Sequence, residues 1–254
     1  MYRSFSWSAN VCGAKRWILL PPGEEQKIRS LSGLPFDVAS VLGAESPDRA
    51  TGSAELRASS GGGAGGAHDA GAAAVPLQAL TSAGGVRYFD VLQEAGEVMF
   101  VPSGWHHQVW NLRDTISINH NWLNASNVRL VTDHLLSSLA DVRAELADIS
   151  DDSDEFLTQC QTLLRATHGM DLAEMADLLC FTVRRRLSAL AGGAEPVLGL
   201  DGYRYGRGHL LHDVRSAGRE LRRVVEREEF GRLEELRRCR AEAERLLAEV
   251  DVLC

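Results

Sequence analysis

The chain has 254 residues, of which 44% are hydrophobic and 24% charged, values that exclude a disordered or collagen-like protein. Its net charge of −8 argues against nucleic acid or an anionic membrane surface as the main partner. The sequence shows neither an apolar run of membrane-spanning length nor a secretory pattern, so we expect a cytoplasmic location, with the nucleus as the alternative. Five irregularly spaced cysteines predict reduced thiols that mostly fill the core, and Cys12 is expected to be buried and unreactive, with a reactive thiol as the alternative.

Short aromatic and aliphatic runs separated by turn residues indicate β-strands in the first half of the chain. All five tryptophans lie within the first 122 residues. The predicted strands cover residues 4–11, 16–20, 87–92, 97–101, 108–112 and 115–122. Several short strands with turns between them predict an antiparallel sandwich or barrel.

A Gly/Ala-rich stretch interrupts these strands at about residues 43–85. Because such a segment buries little apolar surface, it is predicted to be a flexible insertion. Three of its glycines, Gly61, Gly63 and Gly66, match the G-x-G-x-x-G pattern. No strand precedes them and no amphipathic helix follows, so a dinucleotide site is not predicted.

After residue 125 the hydrophobic period changes to that of a helix. Apolar residues from Val128 to Ile149 share one helical face, and Ser126 or Asn127 is a suitable N-cap. Further helices are predicted over residues 156–166, 172–190, 210–225 and 233–250. The Arg/Glu-rich faces of the last two favour a solvated surface, with a partner-binding coiled coil as the alternative. The predicted organisation is therefore a β core in residues 1–125 and a helical region in residues 126–254.

The segment with the most chemically active side chains is residues 96–112, where His106 and His107 follow a Pro-Ser-Gly turn and enter a strand. Neighbouring residues of a strand point to opposite faces, so at most one of these histidines faces the interior. Imidazole is a common metal ligand, and two histidines with one carboxylate form the facial site of non-haem iron oxygenases. A histidine on a strand with a structural role is the alternative.

Residues 97–107, followed by residues 115–122, resemble the second half of a JmjC domain, and residues 4–17 resemble the strand pair that follows that family's first iron motif. The similarity extends into the C-terminal helices, for example residues 168–172, and is greatest to the JmjC domain-containing protein 4 subgroup. This resemblance implies a mainly β core of the double-stranded β-helix (jelly-roll) type, present in part, followed by an all-α C-terminal region.

The resemblance also implies roles for individual residues. The family's second iron-binding histidine falls on His107, which makes His106 its outward neighbour. The basic residue that binds the C5 carboxylate of 2-oxoglutarate falls on Lys15, and a fixed cation suits a dicarboxylate in an apolar interior. Further positions that hold the cosubstrate fall on Ser8, Asn119 and Asn121.

One part of the family pattern does not fall within the sequence. The His-x-Asp motif that supplies the other two iron ligands would align immediately before Met1, so we expect the sequence to be an N-terminally incomplete oxygenase. Asp114 and His120 are poor substitutes, because both belong to the same strand-turn-strand unit as His107 and cannot approach an ion from the opposite side.

The implied function is that of an enzyme dependent on Fe(II), 2-oxoglutarate and dioxygen. For this subgroup the resemblance implies hydroxylation at C4 of a lysyl side chain in the eukaryotic translation termination release factor. The expected partner is thus a protein, with no direct nucleic-acid binding and no membrane. Two alternatives stay open: a non-catalytic truncated isoform or binding module, and a JmjC histone demethylase.

Overall fold

The computed structural model describes residues 3–30, 33–43, 81–83, 85–147, 153–192 and 204–253. Most of the predicted Gly/Ala-rich insertion lies outside these ranges. The chain divides into two compact units, a β unit (Ser6–His120) and a helical unit (Met1–Phe5 with Asn121–Cys254). Within the described ranges, no helix is both long and apolar enough to cross a membrane.

In the described part of the chain, seven strands form two sheets, and the predicted mainly β core is confirmed. The strands are β1 (Phe5–Cys12), β2 (Lys15–Leu20), β3 (Thr81–Ala83), β4 (Val86–Gln93), β5 (Val98–Val101), β6 (His106–Asn111) and β7 (Ile116–Trp122). One sheet has the order β5-β1-β7 and the other β3-β4-β2-β6. Strand β1 pairs antiparallel with β5, and β2 pairs antiparallel with both β4 and β6.

The structure corrects the predicted boundaries at two points. The predicted insertion ends too late, because Thr81–Ala83 already forms β3 and pairs with the start of β4. Its Thr-Ser-Ala sequence has no strong strand pattern, and the adjacent edge of β4 supplies the hydrogen bonds. Strand β6 also begins at His106, two residues before the predicted start. Two short helical elements that were not predicted, Glu24–Ile28 (3₁₀) and α1 (Val38–Val41), follow β2.

The alternation of side chains along β2 divides the β unit into an inner and an outer core. Trp17 and Leu19 face Val101 of the other sheet, so they lie between the two sheets. Ile18 and Leu20 face the opposite side. The outer core that they join also contains Ala39, Leu42, Val86, Tyr88 and Trp110. We call the side of each sheet that faces the other sheet the inner cavity face, and the candidate site lies on it.

The helical unit confirms the predicted all-α C-terminal region. Its helices are α2 (Val128–Glu145), α3 (Asp154–His168), α4 (Leu172–Leu190), α5 (Arg207–Val225), α6 (Glu229–Arg232) and α7 (Glu234–Leu253). Their apolar faces meet in one continuous buried cluster. The apolar faces of α5 and α7 are buried in this cluster, while charged pairs such as Arg240 and Glu244 lie on the exposed side, as a solvated face requires.

The cysteines are distributed between core and surface. Cys160 and Cys180 are buried and Cys239 is half-buried, as expected for reduced thiols that fill a core. Burial raises the pKa of the Cys180 thiol to about 11, so it is a poor nucleophile. The predicted burial of Cys12 is wrong: it is the last residue of β1, where the burial of the strand ends, and it is exposed.

Candidate active site

The two adjacent histidines lie on opposite faces of β6. In the antiparallel pairing of β6 with β2, His107 lies opposite Leu19 and His106 lies opposite Leu20. His107 therefore lies on the inner cavity face, where the centroid of its ring is 5.6 Å from that of Trp17. His106 faces outward, with its Nδ1 atom 3.9 Å from a carboxylate oxygen of Glu25. The tight turn before the strand requires Gly104, whose φ is +78°.

The hydrogen bond of His107 leaves its second nitrogen available to a metal. Nδ1 lies 3.3 Å from the carbonyl oxygen of Trp105. Because a carbonyl only accepts, Nδ1 carries the proton and Nε2 keeps its lone pair. Across the described part of the chain, no group of three His, Cys, Asp or Glu side chains could hold a metal ion. His107 thus fits one ligand position of an iron site, and these residues do not complete the three-ligand set.

Lys15 places a buried positive charge on the same inner face. It is the first residue of β2, shares its face with Trp17 and Leu19, and is 7% exposed. Its Nζ donates a hydrogen bond to the hydroxyl of Ser117 on β7. No carboxylate among the described residues forms an ion pair with it. A buried ammonium without a counter-charge is unfavourable, so this position suits an anionic ligand.

Two buried polar side chains on β1 have atoms without hydrogen-bond partners. Ser8 and Asn10 are each 2% exposed, and neither Ser8 Oγ nor Asn10 Oδ1 has a partner in the described structure. Ser8 pairs with Met99, which packs against the inner core, so its hydroxyl faces the inner cavity. Buried polar atoms are nearly always paired in a loaded site. A hydroxyl donor and a buried cation on the same inner face fit a dicarboxylate such as 2-oxoglutarate.

Comparison with known proteins finds a JmjC domain in this part of the chain. The model of the JmjC domain, described as a hydroxylase, matches residues 74–122, which include β4 to β7 and His107. The 2-oxoglutarate and iron-dependent oxygenase JMJD4 of Danio rerio is 33% identical over 92% of this chain and 50% of its own length. The human protein of that name is 34% identical over 92% of this chain and 48% of its own length.

Residues 74–122 thus belong to a JmjC domain, and the chain is similar over most of its length to 2-oxoglutarate and iron-dependent oxygenases. It spans about half the length of the curated relatives it matches. A third relative, the Arginine-specific demethylase JMJ20 of Arabidopsis thaliana, is 38% identical over 68% of this chain and 30% of its own length. Relatives within the family thus carry names that specify different reactions.

The remaining residues that the JmjC resemblance singled out lie on or beside β7. Asn119 and Asn121 alternate with His120 along the strand, and all three are exposed. The ring of His120 lies 6.4 Å from that of Trp7. The structure therefore brings Ser8 and Lys15 to the inner cavity face with His107. Asn119 and Asn121 share the face of β7 that carries Ser117, the partner of Lys15, but their side chains are exposed. Asp114 precedes the strand and is also exposed.

Gln93 is a buried residue beside the candidate site that was not selected from the sequence. It is 1% exposed, and its Oε1 accepts a hydrogen bond from Trp17 Nε1 at 2.8 Å. Its Nε2 donates to the carbonyl oxygens of Ser8 at 2.8 Å and Glu97 at 3.0 Å. Gln93 therefore ties one sheet to the other and fixes Trp17, the neighbour of His107. The only signal in the sequence is an amide at the end of an apolar strand.

Proposed function

We propose that this protein is an Fe(II)- and 2-oxoglutarate-dependent oxygenase that hydroxylates C4 of a lysyl side chain in the eukaryotic translation termination release factor. The observation that carries the proposal is the buried ammonium of Lys15, which has no carboxylate partner among the described residues and lies on the same face as His107. The names of the JMJD4 relatives support the cosubstrate and the metal. The lysyl substrate and the cytoplasmic location rest on the subgroup resemblance alone.

Each residue of the inner cavity face has a defined task in this proposal. The ammonium of Lys15 binds the C5 carboxylate of 2-oxoglutarate, and the hydroxyl of Ser8 donates a hydrogen bond to the same cosubstrate. His107 Nε2 supplies one ligand to the iron. Iron and 2-oxoglutarate, when bound, supply the activation of dioxygen that the protein alone cannot perform. The apolar walls formed by Trp17 and Val101 exclude water from this chemistry.

A second candidate reaction is demethylation of methylated arginine, as in a histone tail. The similarity to the Arabidopsis arginine-specific demethylase favours it. Hydroxylation of an N-methyl carbon gives a hydroxymethyl group that leaves the nitrogen as formaldehyde. Hydroxylation of a carbon in the lysyl side chain leaves the oxygen on the peptide. The two reactions therefore differ in a measurable product.

The test supplies Fe(II), 2-oxoglutarate, dioxygen and either a release-factor lysyl peptide or a methylarginine histone peptide to this chain and, in parallel, to a version extended upstream to include a His-x-Asp motif, because the described residues supply only one iron ligand. From the extended version we expect succinate together with one added oxygen atom on the lysyl peptide, placed at C4 by NMR. Formaldehyde from the methylarginine peptide instead would establish the demethylase. Absence of succinate with both peptides, while the protein still binds one of them, would support the non-catalytic binding module.

Two matched pairs of variants locate the site. Lys15→Met is expected to abolish 2-oxoglutarate binding measured by calorimetry, whereas Lys27→Met, which removes an equal charge outside the inner face, is expected to retain it. His107→Ala is expected to weaken metal binding, and His106→Ala on the opposite face is the control. Equal effects within either pair would remove that residue from the site.

A further inference from the structure

The helical unit contains an open groove that the JmjC site does not use. It lies between α3 and the first turns of α4 and α7 and has a volume of about 540 Å³. Its lining includes Gln161, Arg165, Asp171, Leu233, Glu235 and Leu236. The groove is therefore large enough for several residues of a bound peptide.

One buried side chain of the groove lacks a hydrogen-bond partner. Gln161 is 9% exposed, and its Oε1 accepts a hydrogen bond from the backbone N–H of Leu172 at 3.1 Å. Because that N–H needs an oxygen, the orientation of the amide is fixed. The other end, Nε2, has no partner within the described structure. A buried donor left unpaired is unfavourable, so the groove lacks an acceptor that a ligand could supply.

The charges around the groove determine which acceptor is suitable. Arg165 is already paired with Glu174 at 2.8 Å. Three carboxylates also line the groove, those of Asp171, Glu234 and Glu235. In the described ranges Glu235 has no ion-pair partner. A carboxylate ligand would meet these like charges, whereas a neutral carbonyl beside a positive charge meets complementary ones.

We propose that this groove binds a basic peptide segment of a protein partner. A main-chain carbonyl of the peptide accepts the hydrogen bond from Gln161 Nε2, and an adjacent Arg or Lys side chain pairs with Glu235. Leu233 and Leu236 contact the aliphatic part of that side chain. The proposal concerns the helical unit alone and does not depend on the proposed oxygenase activity.

The first test adds three small probes, one at a time, to the full chain. Binding is measured by NMR from the signal of the Gln161 side-chain amide. N-acetyl-arginine methylamide is expected to shift this signal with saturation. The neutral N-acetyl-norleucine analogue is expected to bind about tenfold more weakly, and the acidic N-acetyl-glutamate analogue not at all. Equal shifts with all three probes, or an ordered water as the only partner of Nε2 in a crystal soaked with the arginine probe, would overturn the proposal.

Variants separate the two contacts. Gln161→Glu keeps an acceptor for Leu172 and removes the donor, so affinity for the arginine probe is expected to fall about tenfold. Glu235→Gln, at an exposed position where folding is not at risk, is expected to abolish the preference for arginine over norleucine. Glu249→Gln on the exposed side of α7 changes the net charge equally and is the control. A retained preference in Glu235→Gln contradicts the proposal even if Gln161→Glu fails to fold.

Discussion

The β unit and the helical unit have cores of different kinds. The helical core is one continuous apolar cluster, in which Leu164, Leu172 and Leu221 have no exposed surface. The inner face of the β unit instead buries Ser8 and Lys15 among its apolar residues. Buried polar groups oppose folding unless they are paired. Both units bury polar atoms without partners, such as Gln161 Nε2 in the helical unit and Ser8 Oγ in the β unit. The comparison teaches that the helical unit has one large continuous apolar core, whereas the small inner core of the β unit also encloses the ammonium of Lys15, which suits an anionic ligand.

The largest expected effect is a cavity in the helical core. Leu221→Ala is expected to lower the free energy of unfolding by about 2–5 kcal/mol, because the fully buried side chain leaves a void. Leu130→Ala, at a position that is 37% exposed, is expected to cost much less and is the control. Urea denaturation measures both, and equal losses would show that the helical core is not close-packed.

The second largest loss of stability is expected from backbone strain that a substitution at Gly13 introduces into the β unit. Gly13 has φ +84°, and a Cβ there would overlap the carbonyl oxygen of Asp114 and the side chain of Thr115. Gly13→Ala is expected to lower the free energy of unfolding by about 2–3 kcal/mol, since the positive φ and the overlap add. In Gly96→Ala the φ is +85° with nothing within 4 Å, so thermal denaturation of this control isolates the overlap.

An intermediate effect depends on pH. Backbone and side-chain hydrogen bonds from Arg87, together with one from Lys27, lower the pKa of Glu24 from 4.5 to about 2. Folding therefore favours the ionised carboxylate, which contributes stability above pH 4.5 that is lost as the pH falls from 4.5 to 2. Glu24→Gln should remove this part of the acid dependence of urea denaturation.

The matched control for Glu24→Gln is Glu94→Gln, which removes an exposed ion pair with Arg113. An acid dependence that is the same in both variants would show that the contacts of Glu24 do not stabilise the fold.

The smallest effect on stability is expected for Ser8, a residue that is proposed to bind 2-oxoglutarate. Ser8→Ala removes a buried hydroxyl without a partner, so the free energy of unfolding is expected to change by less than about 0.5 kcal/mol or to rise. Calorimetric affinity for 2-oxoglutarate is expected to fall at the same time. A clear loss of stability with unchanged affinity would mean that the hydroxyl serves the fold.

Much of the fold and part of the site could be predicted from local patterns. The opposite orientations of His106 and His107 follow from the two-residue period of a strand, and the helices follow from the 3.6-residue period around positions such as Leu135. The resemblance selected Lys15 and Ser8. It could not select Gln93, because two of its three hydrogen bonds, to Trp17 and Ser8, join strands that are distant in the sequence.

By itself, the sequence determined the class of fold, the order of its long strands and helices and the family resemblance, because periodicity and motifs are properties of neighbouring residues. Only the tertiary structure decided which polar atoms are buried without partners, such as Ser8 Oγ and Gln161 Nε2. It also decided that Cys12 is exposed and that Lys15 meets Ser117. The physical reason is that burial and pairing depend on which distant segment lies opposite, and the strand register and the helix packing fix that choice.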